Sequence, residues 1–325
     1  MREMNRNWVT KLTVYMYRNY LIGLKQKNGS LFYQAIYYIW KKFFIKFDPE
    51  IWMPLENKSL FLNLSHRLPI YYYLYPKYDR ALTRICKKIK EIDNKLFLID
   101  IGANIGDTVF FITNEINGNF LCIEGDIEYL PFLEKNITTF GPDNIIKISK
   151  NYCGIESGQE FFINRTDGTA SILKSELKSN ENKTPINIKT LDKIIEENKD
   201  FENSNIVKID TDGFEINILT SGKEFIEKTK PLVFFEFTPE LYRRNNQDPK
   251  EMWKLLRNYG YREALFYDNF GNPIEIIDMN NEDKINNLID RIDNENIFYY
   301  DVLTYHSTMD KYSEILKSEL TILVS

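Results

Sequence analysis

Four apolar runs in this sequence each end on an acid: FLID at Asp100, FLCIE at Glu124, NIVKID at Asp210 and PLVFFE at Glu236. Asp212 follows in the turn after Asp210. Glu215 falls where the next helix should begin, a first-turn position that favours acids. The runs are of strand length, so their acids are expected to emerge together at one edge of a sheet. Carboxylates gathered there repel one another. Their pKa values rise, which suits them to accept a proton from a hydroxyl or to hold a metal ion. His66 is a second candidate proton acceptor, because imidazole titrates near neutrality. Ahead of a proline turn it also fits a hydrogen-bonded structural role. His306 has no such constellation around it and reads as structural.

The first of these acids leads into a glycine turn, FLIDIGANIGDTVFF, which reads as a strand delivering the chain to the start of a helix. Gly102 and Gly106 permit tight turning and close approach of a ligand. Ala103 lies in the same turn, and Asn104 and Asp107 add polar groups near the helix start. A dinucleotide fingerprint would be G-x-G-x-x-G, but Asn104 occupies the second glycine position. The lysine-bearing P-loop is absent too. The D-x-G-x-x-x-G form resembles motif I of Rossmann-like S-adenosylmethionine-dependent methyltransferases. Glu124 stands 24 residues beyond Asp100. An acid about 20 residues on is the group that binds ribose hydroxyls in such folds. Asp126 is a weaker candidate for that task, and Gly125 lies between the two acids. A third run ends in Asn151-Tyr152-Cys153-Gly154, where the small residues Cys153 and Gly154 would admit a flat base.

The elements that must position these residues follow from the alternation after about residue 90. KLFLIDI, FLCIEG, IIKISKNYCG, NIVKIDTDG and PLVFFEF are separated by helix-length segments. That pattern predicts an α/β fold, a doubly wound and mostly parallel seven-stranded sheet with helices on both faces. ALFYDNFGNPIEII reads as a hairpin and IFYYDVLTYH as a last strand. SELKSNENKT, within 174–184, reads as an exposed loop. Two domains are expected: 1–90, a helical, aromatic-rich extension for acceptor binding or oligomerisation, and 91–325, the cofactor-binding domain. In the extension, LFYQAIYYIWKKFFIKF (31–47) places Phe32, Ile36, Ile39, Trp40, Phe43 and Phe47 on one helical face. Two lysines break it as a membrane span. It is expected to pack on protein, or to lie on a membrane surface.

Composition narrows the class further. The chain has 325 residues, 43% hydrophobic and 27% charged, which is enough for a large core. Its net charge of -5 gives no reason to expect nucleic acid. The three cysteines have no metal-binding spacing and an odd count, which favours buried free thiols in a reducing, cytoplasmic setting. MREMNRNWVTKL has no continuous apolar segment of the signal-peptide kind.

The series FLIDIGANIGDT, CIEGD, KTLDKI, VKIDTDGFEINILTSG and PLVFFEF, in this order and spacing, resembles the FkbM family of methyltransferases over 96–237. SHRLPIYYYLYPKYDRAL resembles a leader found in polysaccharide-cluster members. The family more often has Val-Glu-Gly where this chain has Thr211-Asp212-Gly213, and Pro where it has Gly125. Both departures keep the charge, so they bear on substrate choice more than on chemistry. The resemblance implies S-adenosylmethionine as cofactor and methyl transfer to an oxygen, often on a sugar or glycan in surface polysaccharide or glycoconjugate synthesis. Asp210 would stand beside the methyl group as base or positioning group, with His66, Asp212 and Glu236 as further candidates. Tyr72, Tyr78 and Asp79 in the aromatic patch, and Arg165 and Ser171 in a small-polar loop, would face the acceptor. The enzyme would be cytoplasmic, at most peripheral at the inner face of the membrane, and able to self-associate through its N-terminal region. No residue is assigned as a metal ligand, and the need for a divalent metal is left open. One rival reading takes Asp210-Thr211-Asp212 as the D-x-D of a metal-dependent glycosyltransferase, though it leaves the glycine turn and Glu124 unused. Another is a non-catalytic binding subunit on the same fold, against which the intact acid set argues.

Overall fold

The computed structural model describes residues 48–75, 77, 80–156, 161–166, 169–174, 188–294 and 297–321, with 15, 17 and 19. The chain divides into two units, 1–78 with 165–169, and 79–164 with 170–325. The amphipathic stretch 31–47 and the polar segment 175–184 lie outside the described residues.

In the first unit, β1 (Glu50–Leu55) and β2 (Lys58–Asn63) form an antiparallel hairpin. Trp52 stands opposite Phe61, with ring centroids 5.1 Å apart. The prolines of DPEIWMP read as a turn within the expected helical extension, and the structure instead makes Glu50–Leu55 a strand. Burial along EIWMPL alternates, and that period of two is what a half-buried strand selects. Pro54 is tolerated because a two-stranded ribbon has only edge strands. The helix α1 (Leu68–Leu74) follows, with Pro69 in its first turn, where a missing N–H leaves no bond unmade.

The second unit begins with α2 (Arg80–Asp93), β3 (Phe97–Ile101), α3 (Asp107–Thr113), β4 (Asn119–Ile123), α4 (Leu130–Ile137) and β5 (Ile145–Ser149). Four short strands stand apart from the main sheet. Of these, β6 (Tyr152–Cys153) pairs with β9 (Ile188–Lys189), and β7 (Phe161–Thr166) with β8 (Thr169–Lys174). The third apolar run is therefore divided: its first part is β5 and its end, expected in the same strand, leaves the sheet as β6. The chain continues through α5 (Leu191–Glu197), β10 (Ile206–Ile209), α6 (Glu215–Ser221), α7 (Lys223–Thr229), β11 (Leu232–Phe237), α8 (Pro239–Arg244) and α9 (Lys250–Asn258). It closes with β12 (Tyr261–Tyr267), β13 (Pro273–Asp278), α10 (Glu282–Asn294), β14 (Tyr300–His306) and α11 (Ser313–Thr321).

The main sheet has the order β13-β12-β14-β11-β10-β3-β4-β5, eight strands where seven were expected. The additional strand is the second arm of the ALFYDNFGNPIEII hairpin, which extends the sheet at its antiparallel edge. From β11 to β5 the strands are parallel, while β14 runs antiparallel between β11 and β12. The chain winds outward in both directions from the β3–β10 pair, so the topological switch point lies between them. In an open α/β sheet that is where ligands bind, outside the carboxyl ends of the strands.

Side chains alternate between the two faces of each strand. Ile99 and Ile101, Leu121 and Ile123, Val207 and Ile209, and Val233 and Phe235 belong to one apolar core with residues of α5, α6, α7, α9 and α10. The alternate positions hold Asp100, Lys208, Glu236 and Asp301. Arg84 of α2 donates to Glu319 of α11 at 2.7 and 3.1 Å, and the Tyr267 hydroxyl donates to the same carboxylate at 3.3 Å. These bonds tie two helices to β12.

Candidate functional site

Register brings the polar residues together. Lys208 is level with Asp100 on β3 and with Phe234 on β11, and Glu236 is level with Asp301 on β14. Same-face neighbours on adjacent strands lie about 5 Å apart, within side-chain reach. Because β14 is antiparallel, its first residues arrive at the carboxyl ends of the parallel strands. An open cleft lies at this edge, lined among others by Leu82, Thr108, Lys208, Asp210, Glu236 and Asp301.

The glycine turn is built against the neighbouring loop. Gly102 has φ +80°, and a Cβ there would lie 2.0 Å from the carbonyl oxygen of Asp210. A side chain would therefore push the two strand ends apart. Gly102 and Ala103 donate to the carbonyl of Ile123, and Asn104 turns with φ 49°. Glu124 fastens the turn from β4: its carboxylate accepts the Asn104 N–H at 2.8 Å and the Asp126 N–H at 2.7 Å. Burial pushes the Glu124 pKa up to about 7, against the pull of these backbone donors. Asp126 is itself buried and accepts the Glu128 N–H. Gly125 is required because Tyr152 packs across it, a Cβ there lying 2.4 Å from the ring. That contact joins the Cys153–Gly154 segment to the end of β4. Asp107 opens α3, and burial raises its pKa while Lys208 opposes the rise. Gly106 caps the same helix.

Asp100 differs from its expected place at the open edge. It is wholly buried, and its Oδ1 lies 3.2 Å from Lys208 Nζ. Burial raises its pKa, with Lys208 pulling the other way. Asp210 stands just beyond the end of β10, with its side chain 45% exposed and its Oδ2 3.2 Å from the same Lys208 Nζ. The loop that follows is held by Glu215, whose carboxylate accepts the Thr211 N–H and hydroxyl at 3.0 Å each and the Gly213 N–H at 3.3 Å. Within it Asp212 has φ 53°, and burial, reinforced by the charge of Asp210, pushes its pKa up to about 6. Glu236 accepts the Thr238 hydroxyl at 2.7 Å, and burial together with Asp210 and Asp301 raises its pKa well above the usual range. Burial and Asp210 push Asp301 up to about 8.

Asp100, Gly102, Ala103, Asn104, Gly106, Asp107, Glu124, Gly125, Asp126, Asp210, Asp212 and Glu236 thus gather around the switch point, with Cys153 and Gly154 joined to them through Tyr152. His66 and Tyr72 belong to the other unit. There His66 Nδ1 accepts the Leu68 N–H at 3.2 Å at the start of α1, and Tyr72 packs edge-on against Tyr73. Arg165 and Ser171 fall in β7 and β8, while Tyr78 and Asp79 lie outside the described residues. His306 accepts the Thr308 N–H and meets the ring of Tyr261, a structural setting. The three cysteines are buried and unbonded.

Two charged residues of the cleft escape the sequence reading. Lys208 was hidden as one polar letter inside NIVKID, though a lysine in the middle of a buried parallel strand is itself a signal. Asp301 sits in IFYYDVLTYH, and only the insertion of β14 beside β11 brings it to Glu236.

The turn can be tested for a ligand of nucleoside type. Asn104 Oδ1 is buried without a hydrogen-bond partner, and the Glu124 carboxylate has lone pairs beyond the two it uses. Both are acceptors, as ribose hydroxyls require. Among the described residues, no group of three or more His, Cys, Asp or Glu side chains could hold a metal ion, and no helix is long and apolar enough to cross a membrane.

Residues 100–263 match the family described as the methyltransferase FkbM domain. No curated protein matches the chain. Among solved structures, methyltransferase FkbM from Methylobacillus flagellatus KT is similar at 18% identity with TM-score 0.34, over 53% of this chain and 40% of that one. The present chain therefore spans less than half the length of that protein. An O-methyltransferase from Bacillus cereus, crystallised with S-adenosylhomocysteine, is 9% identical with TM-score 0.39, over 70% and 80% of the two chains. Magnesium protoporphyrin IX methyltransferase from Synechocystis PCC 6803 is 8% identical with TM-score 0.38, over 76% and 88%.

Proposed function

Because the chain belongs to the FkbM family and is an S-adenosylmethionine-dependent methyltransferase, we propose that it methylates an oxygen, a hydroxyl or carboxyl, of a sugar or glycan. The observation that carries this reading is the half-exposed Asp210 carboxylate at the mouth of an acid-lined cleft beside the glycine turn. S-adenosylmethionine, when bound, supplies a methyl group already activated on a sulfonium. The chain's own residues have three tasks left: to hold the donor, to align the acceptor oxygen and to take its proton.

Glu124 and Asn104 would hold the donor's ribose hydroxyls, the Gly102–Asn104 backbone would pass close to it, and Cys153 and Gly154 would flank the base. Asp210 takes the proton of the acceptor hydroxyl. Glu236 and Asp301, whose pKa values burial and neighbouring charge raise, accept hydrogen bonds when ionised and donate one when protonated. A polyhydroxylated acceptor needs that mixture. Surface polysaccharide or glycoconjugate synthesis is the setting in which such a product would be used.

Transfer of labelled methyl from S-adenosylmethionine to a panel of purified glycans tests the proposal. Label that stays with the glycan fraction is expected. Label found solely on non-sugar metabolites would overturn it.

A further inference from the structure

We propose that Lys208 is a positioning residue that balances charge at the end of the cleft where the donor's methyl group is presented. The proposal rests on the reading above, that Asp210 stands beside that methyl group.

Lys208 lies in a strand whose other side chains are buried and apolar, and it is itself 7% exposed. Its Nζ sits between two carboxylates, 3.2 Å from Asp100 Oδ1 and 3.2 Å from Asp210 Oδ2, and its side chain also lines the cleft. A buried ion pair of this kind is weak evidence for stability, because removing two charges from water costs about what their attraction returns. A well-packed apolar pair in place of Lys208 and Asp100 together would serve the fold as well.

The surroundings give the charge a different use. Acids face this point from every side: Asp100 on β3, Asp107 at the head of α3, Asp210 and Asp212 after β10, Glu236 on β11 and Asp301 on β14. Asp268 adds its charge at Asp301. Lys208 is the cation acting on Asp100, Asp107, Asp212 and Asp301 alike.

That field matters for this reaction because the donor is a sulfonium and its product a neutral thioether. As the C–S bond breaks and the O–C bond forms, the electron pair returns to sulfur and the hydroxyl proton passes to Asp210. Positive charge at sulfur is lost on the way. An uncompensated row of carboxylates would hold the starting sulfonium more tightly than the transition state, and binding of that kind slows transfer. Lys208, anchored from behind by the buried Asp100, offsets the row and fixes the Asp210 carboxylate in one place.

The ratio of the dissociation constants of S-adenosylmethionine and S-adenosylhomocysteine reads this field without any acceptor, and calorimetry gives both. Lys208→Met is expected to shift the ratio toward S-adenosylmethionine on the order of tenfold. Asp210→Asn should shift it the opposite way, and Lys208→Arg should keep the wild-type ratio. A purely structural lysine would move both affinities together, and an unchanged ratio in Lys208→Met overturns the proposal. If Asp210→Asn also leaves the ratio unchanged, the placement of Asp210 beside the methyl group fails with it. If Asp210→Asn shifts the ratio and Lys208→Met does not, only the role of Lys208 fails. Should Lys208→Met not fold, Lys208→Gln, which keeps a hydrogen-bond donor toward Asp100 without the charge, carries the same expectation.

Discussion

The turns after β3 and β10 lie side by side and are fastened by the same device. In each, a buried glutamate accepts backbone N–H groups: Glu124 takes those of Asn104 and Asp126, and Glu215 takes those of Thr211 and Gly213. Each turn also contains a non-glycine residue at positive φ, Asn104 in one and Asp212 in the other. They differ in where the acid of the preceding strand stands. Asp100 is level with Lys208, inside the strand, and is wholly buried. Asp210 comes two residues after Lys208, beyond the strand end, and its side chain is 45% exposed. An offset of two residues keeps the side chain on the same face and carries it from the protein interior to the cleft. The lesson is that one acid belongs to the buried framework and the other faces the cleft, although both read alike as acids ending apolar runs.

The strongest way to break this comparison is at the point where the turns touch. Gly102→Ala places a methyl group against the Asp210 carbonyl and forces a side chain to φ +80°, so it should destabilise the fold by roughly 3 kcal/mol or more. Thr211→Ala in the facing loop removes a single bond to Glu215 and should cost about 1 kcal/mol. Urea unfolding of the two variants checks the contrast.

The next difference concerns the two fastening glutamates. Glu124→Gln turns an acceptor toward its N–H partners into a mixed group at the proposed ribose position, and should weaken S-adenosylhomocysteine binding roughly ten- to hundredfold. Glu215→Gln should leave that affinity within about threefold, since Glu215 holds the other loop. Calorimetry on both variants decides. Equal losses would mean that the two turns are not divided between donor and acceptor.

A smaller effect sharpens what the two share. Burial lifts the folded-state pKa of Glu215 to about 7, above the ordinary value of 4.5. The folded protein therefore holds this proton where the unfolded chain has lost it. The resulting stabilisation is complete below about pH 4.5 and disappears as pH rises through 7, a fall of roughly 3 kcal/mol from this group. Glu124, lifted to about 7 by the same cause, should behave alike. Wild-type stability followed by urea midpoint from pH 4.5 to 8 should decline with pH, and the decline should be shallower in Glu215→Gln and in Glu124→Gln alike.

Much of this architecture could be read from residues. FLIDIGANIGDT announced its strand, turn and helix because apolar spacing and glycines are local signals. Glu124 followed from a spacing that the βα unit itself imposes. The eighth strand was visible as a hairpin arm but not as part of the sheet, since pairing order is not written in either arm. DPEIWMP looked like a turn because its prolines outweighed the alternation in EIWMPL. The role of Asp100 was misjudged in position: neither its burial nor its partner can be known until Lys208 is placed in register, and register is a relation between strands more than one hundred residues apart. Asp301 was invisible for the same reason.

The offset between Asp100 and Asp210 is the central claim, and the pair Asp210→Asn and Asp100→Asn tests it most directly. In each variant, S-adenosylhomocysteine affinity is measured beside methyl transfer to the glycan that accepts label from the wild type. Asp210→Asn should bind S-adenosylhomocysteine within about threefold of wild type yet transfer on the order of a hundredfold or more slowly, the loss of a proton acceptor. Asp100→Asn should lower stability and donor binding together. Unimpaired transfer by Asp210→Asn, with transfer lost in a well-folded Asp100→Asn that still binds S-adenosylhomocysteine, would contradict the account.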